Sequence, residues 1–466
     1  MGLEQFYLSL PEAKRHLLFG VKSEDPLRGA FTKKRTVHAG LKGSMVPPPL
    51  AQKEWKQCMA VPVETDPPIR MAYFHIPFCK TKCLYCGFFQ NGTDQEVEDR
   101  YVDHLILELS RAAGAPRIQS APIHAVFIGG GTPTSLSPEN ARRLLHAIRT
   151  YLPLANDYEL TLEGRIHDLV PEKMDVWMEE GVNRMSLGVQ SFNTKVRRQV
   201  GRIDTDEAVL ERLAALKACN QCSVVIDLMF GLPDQTMEVW EHDVKQFVAS
   251  GIDGADLYQL DVFEKSDLQK AIAGGRLSAA ATTAEQTAMF SFGRDYLERC
   301  GYKRLSHCHW ARNNRERSLY NTLARAGADL FPFGCGAGGH AGGLSTMLHR
   351  SLPVYEKMVE AGQKPFMFLS RQSPLASFEA VVQGDMNQCR FDLTALKGMD
   401  ARLAGLQWLA DLWEDCGLWH WNGIHYRLTE AGEFWVVNMT QTILECISYL
   451  LSGETSAKEE RVAAQG

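Results

Sequence analysis

Cys79, Cys83 and Cys86 lie in one short segment, YFHIPFCKTKCLYCGFFQ, with the spacing C-x3-C-x2-C. A structural zinc site normally has four protein ligands, usually in two separated pairs, so it would need a distant fourth ligand such as His75 or Cys58. A redox dithiol would use Cys83 and Cys86 and leave Cys79 unexplained. Three incidental buried thiols are the simplest interpretation. An iron–sulfur cluster held by three thiolates would leave one iron open to another ligand, which would make the site reactive.

Polar residues and glycines follow several apolar runs farther along the chain. The segment AVFIGGGTPTSL contains Gly129–Gly131, and the absence of a Cβ allows close approach of the backbone to another group. Glu163, Gln190, Arg202 and Asp227 each lie at or just beyond the end of a predicted strand. Any one of them is ordinarily a helix cap or a solvated loop residue. Together, at the carboxyl ends of parallel strands, they indicate one site at one rim of the sheet.

The elements that must position these residues alternate in type from Met71 onward. Short β-type runs are followed by amphipathic segments of helical period. This alternation predicts an α/β fold with a parallel sheet, and six such units fit a closed or partly closed barrel better than half of a dinucleotide-binding fold. The predicted strands are MAYFHI (71–76), HAVFIGG (124–130), YELTLEG (158–164), RMSLGVQ (184–190), SVVIDLMFG (223–231) and ADLYQLDVF (255–263), and the helices include VEDRYVDHLILELSRAA, PENARRLLHAIRTYL and DEAVLERLAALKAC.

The chain before Met71 and after about residue 370 lacks this alternation and predicts separate terminal regions. The N-terminal part has helical material near Leu8–Phe19, a basic segment at Lys33–Gly43, and a proline run at 46–50 that predicts an extended linker. After about residue 370 we expect helices and a hairpin, WHWNGIHYRLT, with its turn at Asn422-Gly423. The predicted regions are an N-terminal extension (1–70), a barrel with its own extension (71–369), a mostly helical, winged-helix-like module (370–453) and a flexible polar tail (454–466).

Composition and charge exclude several classes of function. The 466 residues are 45% hydrophobic and 23% charged, an ordinary globular share. The net charge of -6 provides no basic excess for a nucleic-acid or anionic-membrane partner. No apolar run approaches the roughly 20 residues of a transmembrane segment, and the N-terminus lacks the apolar core of a secretory signal. Twelve cysteines without such a signal predict a reducing, cytoplasmic location.

The C-x3-C-x2-C spacing, with an aromatic residue before the last cysteine, resembles the signature of the radical S-adenosylmethionine (SAM) superfamily. The strand, loop and helix predicted around the cysteines fit that resemblance. It implies a [4Fe–4S] cluster held by Cys79, Cys83 and Cys86, with the amino and carboxylate groups of SAM on the remaining iron.

A longer series of motifs is similar to the oxygen-independent coproporphyrinogen oxidase family. The series comprises YFHIPFC, GGGTPT, NRMSLGVQSF and IDLMFGLPDQT, and the similarity extends over about residues 71–450. It implies a partial (β/α)6 barrel and two SAM molecules bound side by side. Contacts with the cluster-bound SAM are implied for Tyr73, Gly130 and Glu163. Contacts with the second SAM are implied for Tyr85, Gly131, Thr132, Gln190, Arg202 and Asp227.

Three segments depart from the oxidase pattern and look like the heme-utilization branch, the anaerobilin synthase type. Residues 86–90 read CGFFQ where the oxidase has CGCNK, and residues 163–165 read EGR where the oxidase continues Glu-Val-Asp-Pro. The segment 331–343, FPFGCGAGGHAGG, is rich in glycine and contains His340. The resemblance implies anaerobic opening of heme to a linear tetrapyrrole with release of iron. One SAM would be the radical source, a second the methyl donor, and the reductant a flavodoxin-type protein.

Histidines offer candidate contacts with heme. His340 is the favoured catalytic residue, because the glycines beside it permit close approach of a flat ligand. His307 and His309, in HCHW, are ordinarily surface or core histidines, and Cys335 is a weaker candidate for radical chemistry. The cysteines of CNQC (219–222) end an amphipathic helix and predict packing rather than a second cluster. Decarboxylation of coproporphyrinogen, and heme carriage without turnover, are the alternative functions.

Overall fold

A thirteen-stranded mixed sheet is the largest element of the computed structural model, and a three-stranded sheet lies in its C-terminal part. The structure describes residues 2–36, 38–63, 69–87, 91–92, 94–325 and 327–452. The strands are β1 (Ser44–Met45), β2 (Arg70–Ile76), β3 (Ile123–Gly130), β4 (Leu154–Arg165), β5 (Arg184–Gln190), β6 (Ser223–Phe230), β7 (Gly254–Gln259), β8 (Lys303–Arg304), β9 (His309–Ala311), β10 (Asp329–Phe333), β11 (Gly338–Ala341), β12 (Leu344–Leu348), β13 (Phe366–Arg371), β14 (Arg390–Phe391), β15 (Trp419–Trp421) and β16 (Tyr426–Leu428).

Helices cover the outside of the large sheet and make up most of the two terminal regions. They are α1 (Leu3–Ser9), α2 (Glu12–Phe19), α3 (Pro26–Gly29), α4 (Pro48–Met59), α5 (Gln95–Ala113), α6 (Pro116–Gln119), α7 (Pro138–Tyr151), α8 (Pro171–Glu179), α9 (Thr194–Gln199), α10 (Asp206–Cys219), α11 (Met237–Ser250), α12 (Asp267–Ala273), α13 (Thr283–Arg299), α14 (Leu319–Arg325), α15 (Leu352–Glu360), α16 (Ala376–Asn387), α17 (Leu393–Met399), α18 (Gln407–Asp415), α19 (Glu430–Phe434) and α20 (Val436–Ser452).

The six strands predicted from the alternation are present as β2 to β7. They lie side by side in chain order, and each pairs in parallel with the next, which confirms the predicted α/β class. Every residue of β5 is buried, as expected for a central strand that is covered on both faces. The last of the six is shorter than predicted: β7 ends at Gln259, and the next residue, Leu260, instead donates its N–H to the carbonyl of Phe230.

A seventh parallel strand extends this core. β10 pairs in parallel with β2, and β11, β12 and β13 follow as an antiparallel meander that ends beside β1. At the other edge, β9 and β8 pair antiparallel with β7 and with each other. Among the described strands the two edges do not pair, so the sheet forms a partial barrel.

Side-chain caps set the starting points of the main outer helices. Asp94, Ser137 and Thr205 each accept a hydrogen bond from the backbone N–H three residues ahead, at the starts of α5, α7 and α10. Such caps satisfy N–H groups that have no partner within the helix. Each loop that leaves the carboxyl end of a strand is therefore confined to one rim of the barrel.

The proline run at 46–50 starts a helix, so the predicted extended linker is wrong at this point. Pro47 precedes α4, and Pro48 and Pro49 occupy its first positions. A proline fits there because its φ is already helical and the first helical N–H groups need no intrahelical partner. Trp55 and Met59 then bury one face of α4. The helical material predicted near Leu8–Phe19 forms the two helices α1 and α2.

The N-terminal extension packs on the C-terminal helices. The Arg35 backbone N–H donates to Asn438 Oδ1 (3.0 Å), and its guanidinium donates to Thr442 Oγ1 (2.8 Å) on α20. Trp413 Nε1 donates to the carbonyl of Phe19 at 2.6 Å. Buried apolar side chains of the extension, the barrel and the C-terminal helices belong to one contiguous cluster. The predicted domain bounds therefore stay a prediction.

The expected hairpin is formed by β15 and β16. Asn422 Oδ1 accepts the N–H groups of Ile424 and His425, both at 3.0 Å, and Gly423 has a φ of +98°. The hairpin pairs with β14, and this small sheet packs among α16 to α19. No helix in the described ranges is long and apolar enough to cross a bilayer. The predicted tail at 454–466 and the departure at Phe88–Gln90 lie outside the described residues.

Candidate active site

The cysteine segment forms the loop that follows β2. The Asn91 N–H donates to the carbonyl of Pro77 (3.2 Å), and the Cys79 N–H donates to the carbonyl of Asn91 (3.1 Å), so Asn91 closes the loop. Cys79 and Cys83 are buried, and Cys86 is partly exposed. The three thiols therefore lie at the carboxyl ends of the parallel strands, where barrels of this kind build their sites.

The three thiols lie on one loop, as ligands of one cluster would. Their side chains, however, are not arranged around a common metal position. Cys79 Sγ is 3.3 Å from Thr132 Oγ1. Burial raises the pKa of Cys79, the hydrogen bond with Thr132 opposes that shift, and Cys86 and Cys83 add to it. Within the described ranges no three His, Cys, Asp or Glu side chains are arranged to hold one metal ion. Three soft sulfur donors on one loop fit an iron–sulfur cluster, and ligation by all three requires their side chains to turn toward one point.

Two glycines at the carboxyl end of β3 allow the cysteine loop to lie close to the barrel. Gly130 has a φ of +112°, and a Cβ there would lie 2.7 Å from the His75 ring. A Cβ on Gly131 would clash with the carbonyl oxygen of Phe78, and the Gly131 N–H donates to the carbonyl of Ile76 at 2.8 Å. The close approach that these glycines permit is therefore between two protein segments. Their contacts with SAM stay predictions.

Tyr73, Gly130 and Glu163, which were assigned to one SAM, are neighbours. Glu163 Oε2 accepts the Gly130 N–H at 3.2 Å, and Tyr73 Oη lies 3.0 Å from His75 Nδ1. Burial raises the pKa of Glu163 to about 7, although the Gly130 N–H and Arg202 oppose the shift. Burial and the nearby Glu163 charge also raise the pKa of Tyr73. The structure thus places a titratable carboxylate beside a buried phenol at the barrel rim.

Tyr85, Gln190 and Arg202 form a second neighbourhood. Arg202 Nη2 donates to Tyr85 Oη at 3.0 Å. Gln190 ends β5 with a φ of +68°, unusual for a residue with a side chain. Its Oε1, and Arg202 Nε and Nη1, are buried and have no hydrogen-bond partner among the described residues. Buried polar atoms are rarely left unpaired, so these three atoms fit a polar ligand that has both donors and acceptors, such as an amino acid group.

Asp227 connects the two neighbourhoods. It lies on β6, where burial, Asp256 and Glu163 together raise its pKa to about 7 and Arg202 opposes the shift. Thr132 and Arg202 line one small cleft of ≈ 90 Å³ beside the cysteine loop. Glu163, Arg202 and Asp227 are thus close enough to influence one another's charge, and a common site for SAM at this rim stays a prediction.

His340, by contrast, is not brought to this rim. It lies on β11, opposite Leu330 of β10, and Leu330 is level with Met71 near the start of β2. Glu163 is on β4, four strands away in the order β11-β10-β2-β3-β4. Burial lowers the pKa of His340, while the Ala328 backbone and Asp329 raise it. The geometry therefore does not support the predicted catalytic role. The glycines beside His340 suggested space for a flat ligand, but Gly339 instead packs on the backbone of β10.

A larger cavity opens beside Asp227. It has a volume of ≈ 400 Å³ and lies between β7, the loop before β9, α14 and the C-terminal helices. Asp256, which faces Asp227 in the β6–β7 register, lines its wall together with Tyr258, His307 and Cys308. Its size is in the range of cofactor and substrate pockets. The cavity therefore adjoins the two polar neighbourhoods through the Asp227–Asp256 pair.

Comparison with known proteins identifies the family. Residues 73–247 match the radical SAM superfamily. The chain is 38% identical over 386 residues to the anaerobilin synthase of Escherichia coli O157:H7, a match that covers 83% of this chain and 86% of that protein. The chain belongs to the radical SAM superfamily and to the family of that anaerobilin synthase.

Two further relatives extend the comparison of this radical SAM protein. It is 31% identical over 283 residues to the heme chaperone HemW of Bacillus subtilis (strain 168), which covers 60% of this chain and 73% of that one. The structure of coproporphyrinogen III oxidase (HemN) from Escherichia coli, a radical SAM enzyme, aligns with a TM-score of 0.74 at 22% identity over 89% of this chain and 96% of that one. That alignment confirms the fold. The superfamily implies a [4Fe–4S] cluster and SAM.

Two residues near the site of this radical SAM protein were not predicted from the sequence. Tyr320 on α14 lies beside Tyr73 and Phe127, with ring centroids 6.4 and 4.7 Å away, and so covers the floor of the site. No strand end or motif marks Tyr320. Asp256 could have been recognised, because it lies in ADLYQLDVF one residue from the predicted start of the last strand.

A buried ionic network supports the Asp256 wall of the cavity. His309 Nδ1 is 3.0 Å from Asp256 Oδ1, and His309 Nε2 is 3.1 Å from Glu316 Oε1. Glu316 also accepts from Arg184 Nε (3.1 Å) and Ser223 Oγ (2.7 Å). Burial alone would lower the pKa of His309, but the two carboxylates raise it to about 9. The imidazole is therefore charged at neutral pH and fixes the position of Asp256.

Replacing Glu316 with glutamine is expected to destabilise this radical SAM protein by about 3–5 kcal/mol, because the buried Arg184 would lose its carboxylate partner and His309 would keep only Asp256. The matched control is Glu241→Gln, which breaks an exposed helical pair with Lys245 and should cost only about 0–1 kcal/mol. Denaturant unfolding under anoxia measures both. Equal, small effects would show that the network contributes no net stability.

Proposed function

We propose that this protein is an anaerobic, heme-degrading radical SAM enzyme that opens the porphyrin ring to a linear tetrapyrrole and releases iron. The observation that carries the proposal is the 38% identity to an anaerobilin synthase over 83% of the chain. The ≈ 400 Å³ cavity beside the polar rim supports it, because a flat, largely apolar ligand needs such a space next to the reacting groups.

We also propose that SAM acts both as radical source and as methyl donor, so that the enzyme is a C-methyltransferase. SAM held by a cluster on Cys79, Cys83 and Cys86 would supply the 5′-deoxyadenosyl radical. Tyr73, Gly130 and Glu163 are proposed to hold this first SAM. The separate neighbourhood of Tyr85, Gln190 and Arg202, with its unpaired buried atoms, supports a second SAM.

The roles of the residues follow from their charges. Nε and Nη1 of Arg202 are buried without a partner among the described residues, and their N–H groups suit the carboxylate of the second SAM. Asp227 and Glu163, once deprotonated, suit the ammonium and sulfonium charges. Gly131 and Thr132 lie between this space and Cys79, and we propose that they contact the second SAM. The proposed reaction places a methyl-derived carbon on a meso position of heme, and a flavodoxin-type reductant in the cytoplasm supplies electrons.

The test is an anaerobic turnover of the reconstituted enzyme with heme, SAM and a chemical reductant. We expect loss of heme absorbance, formation of 5′-deoxyadenosine, and a tetrapyrrole whose mass contains one carbon from SAM carrying a 13C-labelled methyl group. An unlabelled open tetrapyrrole would refute the methyl-donor role and leave heme opening in place. Decarboxylation of coproporphyrinogen with heme left intact would establish the oxidase alternative instead.

Heme carriage is the second candidate function, because the chain is also 31% identical to a heme chaperone. The same experiment separates the two functions. Stable heme binding and transfer to an acceptor protein, with no tetrapyrrole product after SAM cleavage, would favour the chaperone.

A further inference from the structure

The cavity beside Asp227 combines apolar walls with a few polar groups. Its apolar lining includes four aromatic side chains and lies on β6, β7 and α13 and on the C-terminal helices. These residues are Phe230, Tyr258, Phe290, Phe434, Val436 and Val437. Apolar and aromatic walls with a small number of placed polar groups are typical of sites for large, flat ligands.

His307 is the imidazole on this cavity with the geometry of a metal ligand. Its Nδ1 lies 3.3 Å from Asn387 Oδ1, and both residues line the cavity. A carbonyl oxygen at Nδ1 favours the tautomer with the proton on Nδ1, which leaves the Nε2 lone pair available. Within the described part of the chain, Nε2 has no hydrogen-bond partner. Histidine ligands to metals typically donate the other ring N–H in this way.

Arg325 is a cation on the same cavity that has no carboxylate partner in the described ranges. The carboxylates of the lining are each paired: Asp261 with Lys34 (3.2 Å), Glu433 with Arg294 (2.7 Å), and Asp256 with His309. No ion pair or hydrogen bond involves the Arg325 side chain among the described residues, although it is partly buried on α14. A partly buried, unpaired guanidinium is suited to a carboxylate from a ligand.

We propose that this cavity binds an iron porphyrin, with the iron on His307 Nε2 and one propionate on Arg325. The inference rests on the proposed heme-degrading function and adds the position of the substrate and its two anchoring residues. Bound here, the macrocycle lies against Tyr258 and Asp256, and Asp256 is the direct neighbour of Asp227 across β6 and β7. The ring edge therefore faces the second neighbourhood, from which a methyl-derived carbon would come.

The test compares ferric heme with iron-free protoporphyrin IX as probes, titrated under anoxia into the reconstituted protein. His307→Ala should change the Soret spectrum and weaken heme binding at least about tenfold, while porphyrin binding changes less than about twofold, because only heme carries iron. Arg325→Gln should weaken both probes about tenfold, since one charge-assisted hydrogen bond is lost. Free imidazole should restore the wild-type heme spectrum of His307→Ala.

His420→Ala is the matched control, because this exposed imidazole on β15 lies outside the lining of the cavity. It should leave both probes unchanged. A His307→Ala protein that keeps the wild-type heme spectrum, or that loses heme and iron-free porphyrin equally, would overturn the ligand assignment. Heme consumption by the wild-type protein is measured in parallel. If turnover persists while the ligand assignment fails, only this inference is wrong, and if wild-type turnover fails, the proposed function is wrong.

Discussion

Replacing Cys83 with alanine is expected to abolish assembly of the [4Fe–4S] cluster and to reduce SAM cleavage at least about 100-fold. Loss of an outer-shell partner alone costs about 10–100-fold in many metal sites, so loss of a direct ligand should cost no less. Cys83 is buried on the loop after β2. Iron and sulfide content, the visible spectrum and the yield of 5′-deoxyadenosine measure the effect.

The control for this experiment is Cys300→Ala, because Cys300 is an exposed cysteine at the end of α13. It should retain about four iron atoms per chain and full SAM cleavage. Cys83→Ser is a second variant that keeps the size of the side chain. A Cys83→Ala or Cys83→Ser protein with wild-type iron content and SAM cleavage would show that the C-x3-C-x2-C segment does not hold the cluster.

The rim of the barrel could be predicted from the sequence because strand ends are local features. A parallel strand that is buried on both faces reads as an apolar run, and the residue that follows it must lie at the carboxyl rim. Glu163 and Gln190 were located in this way near the ends of β4 and β5, whereas Asp227 lies in the middle of β6. Their roles toward SAM came from the resemblance and stay predictions.

The failures concern contacts between segments that are distant in the chain. The glycine-rich segment around His340 has the composition of a ligand site. The position of His340, however, depends on the pairing of β10 with β2, which no local pattern in the sequence encodes. Tyr320 reaches Tyr73 only because α14 packs on the inner face of the sheet. The proline run at 46–50 is compatible with two conformations, an extended linker or a first helical turn. Burial of Trp55 favours the helix.

SAM affinity is expected to rise with pH, by about tenfold for each of Glu163 and Asp227 between pH 6 and pH 8. Both carboxyls have a pKa raised to about 7, so each is mostly protonated at pH 6 and mostly charged at pH 8. The second SAM carries ammonium and sulfonium charges, and the cluster-bound SAM, whose amino group is proposed to ligate iron, keeps its sulfonium charge, so deprotonated carboxylates bind both molecules more tightly. Binding should therefore be accompanied by release of protons near pH 7. Calorimetric titration of the cluster-loaded, unreduced enzyme measures both quantities.

Glu163→Gln should remove the part of the pH dependence that comes from Glu163 and should also shift the part that comes from Asp227. The Glu163 charge is one cause of the raised pKa of Asp227, so its removal should lower that pKa and move the remaining rise in affinity to a lower pH. Asp227→Asn should likewise halve the number of protons released. Glu207→Gln, on the exposed face of α10, should leave the profile unchanged. A wild-type profile that is flat between pH 6 and pH 8, or one that Glu163→Gln does not alter, would place the SAM charges away from these two carboxylates.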